Sequence, residues 1–172
     1  MSQERTGIIL FKGNPMTLLG PDVAVGADAP NFKVVNTDLQ PVTLDDTRGR
    51  IRLITVVPSL DTPVCDTMTR TFNQEAATLP DDVAVYTVSM DLPFAQRRWC
   101  GNAGIDKVKT LSDYQERSFG LNYGMLIKEL KLLTRGVFVI DRGGKVAYRE
   151  IVKEVTAEPD YAAALAAAKK LV

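Results

Sequence analysis

The 172-residue chain balances 21 basic against 21 acidic residues, with a 45% hydrophobic and 24% charged composition. That make-up suits one soluble globular domain with a sizeable core, taken as a single unit over residues 1–172. It offers no strong field for nucleic acid or an anionic membrane surface, and no stretch nears the roughly 20 apolar residues of a membrane helix.

In chain order, the opening MSQERTGIILFKGNP has too short an apolar run and no small-residue cleavage pattern for a signal peptide, so a cytoplasmic location is expected. IILFK and MTLLG flank a Gly-Asn-Pro turn and predict an N-terminal β-hairpin. FKVVN and PVTLDD read as short strands. IRLITVVP is an apolar run stopped by Pro58, as in a central strand covered on both faces. Pro63 to about Thr78 reads as helix, and VAVYTVSM (83–90) as a second buried strand. PFAQRRWCGNAG is a short helix from Pro93, closed by Gly101 or Gly104. Val108 to Leu111 suits a short strand and SDYQERSFG a helical turn. GVFVID-RGG-KVAYREIV is a hairpin, and PDYAAALAAAKKL a helix with Lys169 and Lys170 in its last turn. The order predicts an α/β protein: a thioredoxin-like fold with a central sheet flanked by helices and an N-terminal β-hairpin extension.

Histidine is absent, which removes Cys-His and Ser-His-Asp catalysis and the commonest metal ligand. The two cysteines, Cys65 and Cys100, form neither a four-ligand zinc site nor a C-x-x-C pair. FGLNYG is no nucleotide fingerprint. The chemistry left to this chain is that of its two thiols. A lone cysteine is commonly an inert small hydrophobe. The context of Cys65 points the other way. With Thr62 as N-cap and Pro63 at the first helical position, Cys65 falls third in a helix whose first-turn amides lack internal partners.

A free cysteine is only about 3% thiolate at pH 7, and raising that to roughly 90% requires about 3.4 kcal/mol in favour of the anion. A helix terminus supplies ~0.3–1 kcal/mol, and up to ~2 in good geometry, so a cation is needed beside the sulfur. Arg70 lies more than a turn along the same helix and is expected to point elsewhere. Arg135, at the mouth of the strand in LLTRGVFVID, is the candidate, because an arginine there can reach over a sheet end.

The string PSLDTPVC (58–65) resembles the peroxiredoxin pattern Pro-x-x-x-Thr-x-x-Cys, and SLDTPVCDTMTRTFN resembles the bacterial thiol peroxidase branch of atypical two-cysteine peroxiredoxins. The likeness extends to KGNP, GADAPNF, RWCGNAGI, LSDYQERSFGLNYG and RGVFVID. It implies a thioredoxin fold, a homodimer, and reduction of hydrogen peroxide and organic hydroperoxides with thioredoxin as reductant and no cofactor. Residue by residue, it implies that Cys65 is the peroxidatic cysteine and Cys100 the resolving one. It makes Thr62 the orienting hydroxyl, Pro58 the shield of the pocket and Arg135 the active-site arginine. Met68 stands where this branch commonly has glutamine, and Trp99 where it has phenylalanine.

Disulfide geometry then predicts unwinding of the Cys65 helix start, the Cys100 helix, or both, on oxidation. Leu60, Val64 and Met125 are expected to line the pocket. A redox switch built on the same two thiols, an inert α/β interaction domain and a thiol-disulfide exchanger are the alternatives.

Overall fold

The structure, a computed structural model, describes residues 2–172. Glu4–Phe11 (β1) and Asn14–Leu19 (β2) form the expected hairpin. Its turn is Lys12-Gly13, both with positive φ (50° and 81°), the backbone twist a two-residue hairpin turn favours. Asn14 and Pro15 therefore belong to β2 instead of the turn. Pro15 is tolerated there because β8 (Leu126–Ile127) meets β2 at Leu18 and Leu19 and its register stops short of Pro15.

The second sheet has seven strands in the order β10-β9-β5-β6-β7-β3-β4. They are β3 (Lys33–Val35), β4 (Pro41–Thr43), β5 (Ile51–Val56), β6 (Val83–Ser89), β7 (Lys109–Ser112), β9 (Gly136–Ile140) and β10 (Val146–Ile151). The centre, β5-β6-β7, is parallel, and β9 and β3 join it antiparallel on either side. The helices are α1 (Pro63–Ala76), α2 (Pro93–Ala103), α3 (Ser118–Asn122) and α4 (Tyr161–Lys170). PVTLDD divides into β4 and a 3-10 turn, Leu44–Thr47, where Asp46 accepts from the Thr43 amide.

β5, β6 and β9 are buried along their whole length, as a run without polar alternation requires. Successive side chains then feed two cores. Ile51, Leu53, Val85, Val137 and Val139 pack under Met68 and Phe72 of α1 and Ala164, Leu165 and Ala168 of α4. Ile54, Val56, Tyr86, Val88, Phe138 and Ile140 pack on the opposite face against Phe32, Phe119 and Tyr123. On that face the Phe119 and Tyr123 rings stack at 4.4 Å. Trp99 and Ile105, flanking the end of α2, pack into the α1 cluster. Gly104, at φ 67°, is the glycine that closes α2, a left-handed C-terminal position that suits a residue without a side chain.

Candidate active site

Val57 and Pro58 follow β5, and the chain turns through Ser59, Leu60 and Asp61 into α1. Asp91, just past β6, holds that turn. It accepts from Ser59 Oγ (2.7 Å), the Leu60 amide (2.8 Å) and Ser89 Oγ (2.8 Å). Thr62 then has the extended backbone of an N-cap, and its Oγ1 accepts from the Cys65 amide at 3.3 Å. The Thr62 hydroxyl donates its own proton to the Ser59 carbonyl at 3.2 Å. Both the hydroxyl proton and the Cys65 amide are thus engaged at rest.

Cys65 has no exposed surface and Arg135 is 2% exposed. Arg135 Nη2 lies 3.2 Å from Cys65 Sγ, Nη1 lies 3.6 Å from Met68 Sδ, and Nε donates to the Val155 carbonyl at 2.8 Å. A guanidinium in this place offers a thiolate a charge-assisted hydrogen bond. Its orientation is built from far along the chain. Leu10 in β1 donates to Lys153 (2.7 Å) and accepts from Val155 (2.9 Å), so the N-terminal hairpin fixes the segment whose carbonyl holds Nε. Gly136 follows Arg135 where a Cβ would lie 2.6 Å from the Glu150 carbonyl oxygen. Strand β10 can therefore come close enough to β9 to continue into that segment.

An apolar pocket of about 320 Å³ opens here, lined by Phe11, Lys12, Pro58, Thr62, Pro63, Val64, Arg135, Val155 and Thr156. Of the three residues expected on its wall, only Val64 is there. Leu60 is buried in the core beneath α1, and Met125 is buried in the core on the other face of the sheet, with its methyl group against Gly136. Phe11 and Lys12 enter instead because the hairpin folds back over the site.

The structure thus brings Cys65, Thr62, Pro58 and Arg135 together and leaves Cys100 apart. Cys100 is half-buried on α2, its Sγ 3.5 Å from Thr110 Oγ1 on β7, and no disulfide is present. Burial pushes the Cys100 thiol up from its ordinary value, partly offset by the Thr110 hydrogen bond. Arg70 points away from the sulfur, as expected, to Asp66 and to the Ala103 carbonyl. Asp91 and Val155 escaped the sequence reading. For Asp91 the only hint was an acid placed between a strand end and Leu-Pro. For Val155 there was none, since a backbone carbonyl carries no residue signature. Among the described residues there is no group of three or more His, Cys, Asp or Glu placed to hold a metal ion.

A thioredoxin-like sheet with a cysteine capped at a helix start and a buried guanidinium on its sulfur defines a thiol redox protein. Comparison with known families specifies it further. Residues 24–165 match the Redoxin family. The thiol peroxidase of Halalkalibacterium halodurans is 61% identical over 161 residues, covering 94% of this chain and 96% of that one. That of Bacillus subtilis is 56% identical over 164 residues, covering 95% and 98%. The crystal structure of a peroxiredoxin-like protein from Aquifex aeolicus superposes with a TM-score of 0.91 at 44% identity, covering 99% of each chain. The chain belongs to the redoxin family, within its thiol peroxidase branch.

Proposed function

We propose that the chain is a thiol peroxidase in which Cys65 reduces hydroperoxides by two electrons. The observation that carries this reading is the 3.2 Å contact of Arg135 Nη2 with Cys65 Sγ at the start of α1, beside an apolar pocket. The thiol peroxidase relatives support it. The Cys65 thiolate attacks the near peroxide oxygen in line with the O–O bond. That bond breaks, the oxygen stays on sulfur as a sulfenic acid, and the other leaves as water or an alcohol once protonated. Arg135 stabilises the charge growing on the departing oxygen. Thr62 turns its hydroxyl from the Ser59 carbonyl toward the peroxide, and Pro58 shields the pocket from bulk water. The apolar lining suits organic hydroperoxides as well as hydrogen peroxide.

Cys100 is the resolving thiol. Its sulfur displaces hydroxide from the Cys65 sulfenic acid, giving a Cys65–Cys100 disulfide and water. A disulfide needs Cα atoms within about 4.4–6.8 Å, and each sulfur now has its own partner, so the first turn of α1, or α2, or both must unwind. Thioredoxin reopens the disulfide. A cycle fed by an external dithiol belongs in a reducing compartment, the cytoplasm. The working form is a homodimer, and exposed Leu92 and Phe94 at the start of α2 supply apolar surface of the kind a partner covers.

Peroxide consumption supported by thioredoxin, compared among wild type, Cys65→Ser and Cys100→Ser, tests the scheme. The first variant is inactive, while the second completes one oxidation and does not cycle. Sustained cycling by Cys100→Ser removes the resolving role. A wild type that consumes one equivalent per chain and stops is a redox switch instead.

A further inference from the structure

One face of α1 carries Asp66, Arg70 and Asn73, spaced four and three residues apart so that they form a single stripe along the helix. All three reach into the segment that begins with Trp99 and runs through Cys100 to Val108. Asp66 Oδ1 accepts from the Trp99 indole N–H at 2.9 Å, and Asp66 Oδ2 accepts from Arg70 Nε at 2.8 Å. Arg70 also donates to the Ala103 carbonyl at 3.2 Å and stands 5.8 Å from the centre of the Trp99 ring. Asn73 Oδ1 accepts from the amides of Lys107 (2.8 Å) and Val108 (3.1 Å). Asp66 adjoins Cys65 and Trp99 adjoins Cys100. The stripe therefore ties together the two helical stretches that must part before their sulfurs can meet.

We propose that Asp66, Arg70 and Trp99 form a latch that sets how fast α2 opens after Cys65 is oxidised, with Asn73 as the hinge-side anchor that stays closed. The proposal rests on the resolving role given to Cys100 above. Two reactions compete for the Cys65 sulfenic acid. In one, the Cys100 sulfur bonds to the Cys65 sulfur, the S–O bond breaks, and hydroxide leaves with the Cys100 proton as water. In the other, a second hydroperoxide gives its near oxygen to the sulfenate, its O–O bond breaks, and sulfinic acid and an alcohol or water result. A closed latch withholds Cys100 and favours the second. The latch residues act through α2 and touch neither sulfur, so they are positioning residues. Their signature is a change in the partition between the two products with the first oxidation unaltered.

Trp99→Phe keeps an aromatic ring and removes the indole N–H. Arg70→Met removes the bridge to the Ala103 carbonyl. Each is mixed with one equivalent of hydrogen peroxide, quenched in acid at intervals, and resolved by intact mass into thiol, sulfenic acid and disulfide. Sulfinic acid is then scored across a peroxide series. In both variants the disulfide forms about three- to tenfold faster, the loss of one charge-assisted hydrogen bond at a partly exposed site. The peroxide concentration giving half sulfinic acid rises by the same factor, and the first oxidation stays within about twofold of wild type. Phe32→Leu, which loosens the opposite core, leaves the disulfide rate unchanged. Unchanged or slower disulfide formation in Trp99→Phe and Arg70→Met overturns the latch, as does equal acceleration by Phe32→Leu. A wild type that reaches the sulfenic acid and never forms the disulfide overturns the resolving role, and the latch with it.

Discussion

Replacing Arg135 by methionine is the sharpest perturbation of the site. The substitution keeps an unbranched apolar stem and deletes the guanidinium. The lost contact joins two buried groups at 3.2 Å. Unit charges at that separation attract by roughly 5 kcal/mol at an effective dielectric constant of about 20, which bounds the effect from above. Hydrogen bonds to charged partners retain about 1.5–3 kcal/mol after solvent exchange, or roughly 10- to 150-fold in rate. Arg135→Lys restores the charge without the fork. A single ammonium cannot serve the Val155 carbonyl, Met68 and Cys65 together, so the lysine variant falls between wild type and methionine. The assay is the second-order rate of Cys65 oxidation by hydrogen peroxide in a rapid-mixing experiment, which isolates the first step from recycling. Arg135→Met also strands the Val155 carbonyl, at about 1–3 kcal/mol of stability, so rates are compared well below each variant's melting point. An Arg135→Met rate within threefold of wild type refutes the electrostatic role.

Thr62→Val removes the cap from the Cys65 amide and lowers unfolding free energy in urea by about 1 kcal/mol, whereas Thr62→Ser keeps it. The valine variant also loses at least about tenfold in the oxidation rate and the serine variant stays within about twofold, since only serine retains a hydroxyl to turn toward peroxide. Asp91→Ala leaves Ser59 Oγ, the Leu60 amide and Ser89 Oγ without their acceptor. It lowers the melting temperature, by about 1–3 kcal/mol in unfolding free energy, and speeds hydrogen exchange at Leu60. In Cys65→Ser, where Cys100 is the only thiol, burial disfavours the Cys100 thiolate. Iodoacetamide alkylation of the folded variant therefore reaches its midpoint at higher pH than alkylation of the same variant in urea. Coincident midpoints contradict the buried setting.

Much of this site was legible because its parts are local. Thr62, Pro63 and Cys65 define a capped helix start within four positions, and the absence of histidine left arginine as the counter-charge. The runs of β5, β6 and β9, with few polar interruptions, announced a sheet covered on both faces. What was not legible depends on residues far apart in the chain. β8 is two residues long, too short for any periodicity to register. Leu60 and Met125 are apolar, which suits a pocket wall and a core alike, and which of the two a side chain faces depends on packing between elements. Phe11 and Lys12 reach the pocket only because the hairpin pairs with residues near 154. The stripe Asp66, Arg70 and Asn73 looks like an ordinary solvated helix face until Trp99 and the 103–108 segment are laid against it.

The central claim is that the sulfur of Cys65 takes an oxygen atom from a hydroperoxide. Cys100→Ser, treated with one equivalent of hydrogen peroxide in the presence of dimedone and then digested for peptide mass analysis, tests this directly. The account predicts one dimedone adduct per chain, on Cys65. An unmodified Cys65 alongside undiminished peroxide contradicts it.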